Sequence, residues 1–454
     1  MAESLCSVGL DVGTTSTQLI VSRLAVENQA GSFSVPRMQI VDREILYKSP
    51  VHFTPLLGTS QVDGPALKRI VEAEYEKAGI RQQNVDTGAI IITGETSRKE
   101  NAARVLQELE GFAGEFVVAT AGPNLESVLA ARGAGAVEYS RDTGKTVLHM
   151  DIGGGTSNLA LIEAGEIVET GCLNVGGRLI KFDKAAMVTY VSPVLRGIWN
   201  VRVGEKVTPE RLREGAEILV SALEMAAGYR PATALLEALV TEEAGLPRPR
   251  EKMVISFSGG VADCIEKDLP WDAFGDLGPI LGQGIRESGL CRGEYTLGSE
   301  TIRATVIGAG CHSTQLSGST VFFRNVRFPL KNLPVLCLPD SCREPKQVEE
   351  YLQGQVWEET PVIALPEMPF KYSGLRELAK VLQRCCPGPV YVCLEQDMAK
   401  ALGQILALEL PAQREILCID RVSLGQQTYL DVGAPLGPAL PVVVKTLVLG
   451  KGDR

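Results

Sequence analysis

Two segments carry the residue types that handle phosphate. The first is Val8-Gly-Leu-Asp-Val-Gly-Thr-Thr-Ser-Thr-Gln-Leu19 and the second is Leu148-His-Met-Asp-Ile-Gly-Gly-Gly-Thr-Ser-Asn-Leu159. In each, an apolar strand ends at an aspartate, a turn of Gly, Thr and Ser follows, and apolar alternation resumes. Phosphate oxygens need N–H donors at short range, and only glycine lets a backbone come that close. Gly13, Gly153, Gly154 and Gly155 meet that need, and the hydroxyls of Thr14, Thr15, Ser16, Thr156 and Ser157 add donors. A carboxylate beside phosphate repels it unless a cation lies between. Asp11 and Asp151 are therefore expected to hold Mg2+, largely through waters that the ion retains. One such turn closes many ordinary hairpins. Two, in matching strand context, point to two related halves gripping one nucleotide from opposite sides.

A third element fits the same purpose. Val254–Ser258 reads as a buried strand, and Gly259-Gly260 after it permits a backbone approach to adenosine; Ser258 opens that turn. Between these motifs lie two stretches rich in small residues, Ala121–Ala136 and Thr305–Gly310. Small residues let a helix pack closely on another backbone, which suits helices crossing a hinge.

The elements that must position these groups follow from periodicity. Ser7–Val21 reads as a hairpin turning at Gly13, and Val62–Lys77 has helical spacing. Gly88–Thr93 is a short buried strand, Asn101–Leu109 a helix and Glu115–Ala119 a strand. Thr208-Pro-Glu-Arg211 has the N-cap Thr and first-turn Pro of a helix running to about Ala227. Beyond about Ser319 the prolines cluster. Strands are then expected at Val390–Leu394, Ile416–Ile419 and Val442–Leu449, with a helix near Met398–Leu408.

The bulk properties narrow the class. The 454 residues suffice for two or three domains. The net charge of −10 argues against sequence-independent nucleic-acid binding, which needs clustered Lys and Arg. No run approaches the ~18 apolar residues of a membrane span, and Met1–Ser7 lacks the regions of a signal peptide. A cytoplasmic protein with no membrane or nucleic-acid partner is expected. The eleven cysteines include no Cys-x-x-Cys pair and are expected to be free thiols, and with three histidines a His-based metal centre is not expected.

The order of these motifs resembles the actin / Hsp70 / sugar-kinase superfamily over residues 1 to about 320. That resemblance implies an α/β fold with two related ribonuclease-H-like subdomains around an ATP cleft. It makes Asp11–Thr17 and Asp151–Asn158 the phosphate loops and Ser258–Asp263 the adenosine loop. The expected organisation is a first half at 1–143, a second at 144–319, and a C-terminal α/β region at 320–454 that completes the core or docks a partner. Phosphohydrolases of this superfamily carry a glutamate near the first connector, which makes Glu126 the residue expected to orient the attacking water. Glu95 is a second choice, and Asn158 either reaches the terminal phosphate or caps its own turn.

More of the wording is distinctive. Ser7–Arg23, Ile92-Thr-Gly-Glu-Thr-Ser-Arg-Lys-Glu-Asn-Ala102, Cys393-Leu-Glu-Gln-Asp-Met-Ala-Lys-Ala-Leu-Gly403 and Tyr429-Leu-Asp-Val-Gly-Ala-Pro435 resemble the bacterial ethanolamine ammonia-lyase reactivating factors, over essentially the full length. The resemblance implies a chaperone-like factor of ethanolamine breakdown, associated with a bacterial microcompartment pathway. It would use ATP and Mg2+ to release damaged cobalamin from the lyase, while adenosylcobalamin belongs to the partner lyase. The rival enzyme reading is a small-molecule kinase of the same superfamily, with Asp42 or Asp63 as its base. An actin-like filament former and an iron–sulfur activator are less well served, lacking an amphipathic tail and a cysteine ligand set.

Overall fold

The structure is a computed structural model. It describes residues 3–13, 16–28, 38–57, 61–92, 105, 109, 119–120, 123–241, 245–298, 300–312, 314–317, 320–355, 357, 359–368, 372–422, 424, 429–437 and 439–445.

Strands β1 (Glu3–Val12), β2 (Ser16–Asn28) and β3 (Met38–Lys48) form an antiparallel meander. The short β4 (His52–Phe53) returns to pair with the start of β2. A ribbon of β5 (Leu56–Leu57) and β6 (Gln61–Val62) leads into helix α1 (Gly64–Ala78). Strand β7 (Thr87–Ile92) lies parallel to β1, and β8 (Ala119–Thr120) parallel to β7. The order is β3-β2-β1-β7-β8.

The second sheet repeats it. After helices α2 (Pro123–Gly133) and α3 (Ala136–Thr143), strands β9 (Val147–Ile152), β10 (Ser157–Glu163) and β11 (Glu166–Leu173) form a meander. A ribbon of β12 (Ile180–Phe182) and β13 (Val188–Val191) and helices α4 (Pro209–Ala226) and α5 (Ala234–Leu239) intervene. Strand β14 (Val254–Ser258) then lies parallel to β9. After helices α6 (Asp263–Glu266) and α7 (Gly278–Glu287), β15 (Tyr295–Leu297) lies parallel to β14. The order β11-β10-β9-β14-β15 matches the first sheet strand for strand. Both are the 3-2-1-4-5 sheet of ribonuclease-H-like folds.

Alternation along the strands decides what each sheet face does. Val8, Leu10 and Val12 pack with Leu67, Val71 and Tyr75 of α1. Ser7 and Gly9 face the other way, toward helix α8 (Ala304–His312), and Asp11 continues that face. In β9, Leu148, Met150 and Ile152 join the core with α4 and α7, while Val147 faces α3. Asp151 shares the face of Val147.

The two small-residue helices are interlocked. A Cβ on Gly133 would lie 1.8 Å from Ala304 O, and one on Gly308 would lie 2.0 Å from Leu129 O. Each helix also serves the other half's sheet. Helix α8 sits on β1, where Ser7 Oγ donates to Gly310 O at 2.5 Å. Helix α2 sits on β10 and β11, where Ser127 Oγ donates to Gly171 O at 3.2 Å. The expected single helix over 121–136 ends earlier, because Gly135 takes φ +79 and starts α3.

A third sheet contains β16 (Thr314–Leu316), β17 (Phe322–Arg324), β18 (Leu330–Cys337), β19 (Val362–Leu365), β20 (Val390–Leu394), β21 (Ile416–Asp420), β22 (Tyr429–Val432) and β23 (Pro441–Lys445). Its order is β16-β23-β22-β18-β19-β20-β21-β17, and β18 through β21 run parallel. Helices α9 (Pro345–Gln353), α10 (Tyr372–Cys385) and α11 (Ala399–Glu409) make the crossovers and bury Leu352, Leu378, Leu382 and Leu402 on one face. All eleven cysteines are free. Among the described residues, no helix is long and apolar enough to cross a membrane.

Candidate nucleotide site

The two glycine turns close in the same way. Gly13 N donates to Ser16 O at 2.8 Å, and Gly153 N donates to Thr156 O at 2.9 Å. The register around them is also the same: Asp11 stands opposite Gln18, and Asp151 stands opposite Asn158. Directly opposed residues of an antiparallel pair share a face, so each carboxylate has a carboxamide beside it. Thr14, Thr15 and Glu95 lie outside the described residues.

Each turn is held from behind at a corresponding place. Thr54, just after the first meander, donates its hydroxyl to Gly13 O at 2.8 Å. Gly177, just after the second, donates its N–H to Gly153 O at 3.0 Å, and Arg178 N donates to Gly154 O at 2.6 Å. Gly176 has to be glycine here, since its Cβ would lie 2.4 Å from Gly154 O. The Arg178 side chain runs 3.3 Å from where a Cβ on Gly154 would stand, and its Nε pairs with Asp276 at 3.2 Å. This places a cation against the second turn. Among the described residues, a Cβ on Gly155 would meet nothing within 4 Å.

Asp151 is buried at 6% exposure. Ser258 Oγ donates to its Oδ1, and Thr305 Oγ1 donates to its Oδ2 at 3.5 Å. Burial pushes its pKa up to about 6 against the pull of those two hydroxyls. Because the Ser258 proton goes to Asp151, the Ser258 oxygen accepts from His149 Nε2–H at 2.9 Å. His149 Nδ1 then accepts from Ser256 Oγ at 3.0 Å. Burial drives the His149 pKa down to about 3, so the imidazole is neutral and fits that role.

The Gly259-Gly260 turn is stitched to the same strand end. Gly259 has φ +86, and a Cβ there would lie 2.3 Å from Ile152 O. Val261 N donates to Ile152 O at 3.1 Å. Ser258, Gly259 and Asp151 are therefore one packed unit, and Gly260 beside them is half-buried.

Helix α8 ties this unit to the first turn. Its Thr305 reaches Asp151, and Gln18 Nε2 donates to Ile302 O, just before the helix, at 3.1 Å. Asp11 is half-buried on the sheet face that α8 covers. Glu126 stands in the first turn of α2, also half-buried. The two kinase-base candidates are differently placed. Asp63 Oδ1 accepts from Ala66 N at 2.9 Å as the N-cap of α1, and Asp42 is exposed on β3.

Two buried oxygens test whether a magnesium ion suits the residues present. Among the described residues, Gln18 Oε1 and Asn158 Oδ1 have no hydrogen-bond partner, although Gln18 is 3% and Asn158 2% exposed. An orphaned carbonyl oxygen at such depth costs about 1–3 kcal/mol, and it is the group that accepts from metal-bound water. Among the described residues, no trio of His, Cys, Asp or Glu is grouped to cage a metal. This donor set fits an ion that keeps much of its water shell, as Mg2+ does.

Sequence reasoning missed Thr54, Gly177, Arg178 and Thr305, and did not weigh Gln18. A signal existed for two of them: Gly176-Gly177-Arg178 is a further glycine pair followed by a cation. Gln18 was legible as the same offset from Asp11 that Asn158 has from Asp151.

Residues 3–450 match the family model described as ethanolamine utilisation protein EutA. The chain belongs to this family. It is 38% identical over 470 residues to the ethanolamine ammonia-lyase reactivase EutA of Salmonella typhimurium, covering 98% of each chain. It is also 38% identical over 473 residues to that of Escherichia coli, again covering 98% of each. Resemblances to solved structures are weaker. The Aquifex aeolicus PPX-GPPA enzyme has a TM-score of 0.41 and 12% identity, over 67% of this chain and 99% of that one. The ethanolamine utilization protein EutJ from Carboxydothermus hydrogenoformans has a TM-score of 0.35 and 17% identity, over 67% of this chain and 88% of that one.

Proposed function

We propose that this chain is an ATP-driven factor that reactivates ethanolamine ammonia-lyase by promoting exchange of damaged cobalamin for intact adenosylcobalamin. Its relatives in the family carry the name of that lyase's reactivase. The observation that carries the ATP-driven part is the matched pair of turns, closed by the same hydrogen bond with an aspartate and a carboxamide in the same register.

In this reading the backbone N–H groups of the two turns bind the phosphates from opposite sides, with Arg178 adding positive charge to the second. Gly259 and Gly260 let the backbone approach the adenosine. Asp11 and Asp151 would hold Mg2+, with Gln18 Oε1 and Asn158 Oδ1 accepting from its waters. The bound ion neutralises charge on the β- and γ-phosphates. Glu126 orients the attacking water. Ser258 and Thr305 favour the ionised form of Asp151, and His149 orients Ser258.

Nucleotide closes the two halves about α2 and α8, and closure changes the affinity of the outer surface for the lyase. The work available for exchange is limited to that difference in affinity. The adenosylcobalamin is the lyase's own, and this chain acts in the cytoplasm, in a microcompartment-associated pathway, without nucleic acid or membrane.

The test uses lyase blocked with cyanocobalamin, mixed with this protein, Mg2+-ATP and adenosylcobalamin. Recovery of lyase activity well above a control without the protein is expected. Recovery equal to that control would overturn the reading.

A further inference from the structure

Helix α8 has two ends, and the nucleotide site uses only the first. Its second end opens into a recess of about 460 Å3 where all three sheets meet. The walls carry Arg43 of β3, Arg132 at the end of α2, Arg141 of α3 and Arg421 just after β21. They face two carboxylates, Glu138 and Glu166, and with Arg421 held by Asp397 the excess is one positive charge. Arg43 Nε donates to Cys311 O at 2.9 Å and so caps the C-terminal turn of α8. Arg421 pairs with Asp397 at 3.1 Å, whereas Arg132 and Arg141 have no ion-pair partner among the described residues.

Arginines from four different segments line one concavity, within the roughly 300–1,000 Å3 range of small-ligand pockets. Guanidinium forks match oxyanions bidentately, and phosphate best combines that fit with double charge. The position adds a mechanical consequence. Arg132 and His312 mark the ends of the two interlocked connectors, and both line the recess. Helix α8 has nine residues and runs from Thr305 at Asp151 to His312 at this recess, a span of about 11 Å at 1.5 Å per residue.

We propose that this recess is a second anion site, for a phosphate or phosphate ester, and that its occupancy sets the hinge between the two halves. An anion there draws Arg43, Arg132, Arg141 and Arg421 together. It thereby fixes the first half, the connectors and the C-terminal unit in one arrangement. The source is either phosphate released at the nucleotide site or a phosphorylated metabolite; both offer the same group. The binding claim stands apart from the reactivase reading, and the hinge claim rests on the nucleotide site.

The test is calorimetric titration of the full-length protein with inorganic phosphate, pyrophosphate and a sugar phosphate. Wild type is compared with Arg132→Gln/Arg141→Gln and with Asp151→Asn. At least one probe should bind wild type, and the double arginine variant should lose about tenfold or more in affinity. Asp151→Asn should leave that affinity within about twofold, which separates the recess from the nucleotide site. Preference for inorganic phosphate names the released product as source, and preference for the sugar phosphate names a metabolite. Either supports the site. No binding by wild type, or unchanged binding by the arginine variant, would overturn it. Both arginines are exposed, so the fold should survive; should the pair melt early, Arg141→Gln alone must still weaken binding. In the second arm, saturating phosphate should change Mg2+-ATP turnover in wild type and not in the arginine variant. An equal response in both would overturn the hinge claim alone.

Discussion

Ser258 and Asp151 are register partners on adjacent parallel strands, and the Ser258 hydroxyl donates to Asp151 Oδ1. A carboxylate at 6% exposure is costly to ionise, and the serine, backed by neutral His149, offsets part of that cost. Function here is bought with stability, and the sign follows from linkage.

The folded pKa of Asp151, about 6, lies above the unfolded value of about 3.9. The folded state therefore holds the proton more tightly. This contribution is fully present below about pH 4 and is lost as pH rises through about 6. The loss is about 3 kcal/mol. Asp151→Asn should therefore raise the melting temperature of nucleotide-free, magnesium-free protein at pH 8 relative to wild type, while lowering Mg2+-ATP turnover about 100-fold or more. A lower melting temperature at pH 8 would contradict the assigned burial cost.

Ser258→Ala removes the hydrogen bond that pulls the Asp151 pKa down. In magnesium-free protein the pH at which the Asp151 contribution to stability is lost should therefore move upward, read from melting temperature against pH. A pH dependence identical to wild type would contradict the role given to the Ser258 hydroxyl.

Two glycines should separate architecture from binding. Gly308→Ala drives a methyl into Leu129 O and should cost about 3 kcal/mol in urea unfolding. Gly155→Ala meets nothing within 4 Å among the described residues and should leave stability nearly unchanged while weakening ATP binding, because the methyl occupies room meant for phosphate. The reverse pattern would mean that these glycines have exchanged roles.

Asp63→Ala removes the α1 N-cap and should cost about 1 kcal/mol. Its Mg2+-ATP turnover per folded molecule should equal wild type. A large loss of turnover with intact stability would instead revive Asp63 as a kinase base.

Much of this arrangement was legible in the chain. The hairpin at Gly13 and strand Val254–Ser258 fall where alternation put them, and α4 begins at the Thr208-Pro209 cap. In the tail, β20, β21 and α11 were visible because each is a compact apolar run. Strand β18 was not, since it contains Pro334 and is exposed at Lys331, Asn332 and Cys337 with no alternation. Helix α10 was legible but unread: Leu375, Leu378, Ala379 and Leu382 recur at helical spacing. What pattern could not supply was the set of long-range contacts behind the turns. Thr54 to Gly13 and Gly177 to Gly153 depend on which strand ends the fold brings back, and no local period records that. The helical expectation for 101–109 and the strand expectation at 115–118 fall largely outside the described residues.

The measurement that bears most directly on the paired turns is a double-substitution cycle in Mg2+-ATP hydrolysis by wild type, Asp11→Asn, Asp151→Asn and the combined variant. If both turns close on one nucleotide, each single change should cost about 100-fold or more in kcat. The combined variant should then be little worse than either, because groups acting as one unit are not additive. Independent, multiplying losses, or a single variant that keeps wild-type turnover, would contradict a shared cleft.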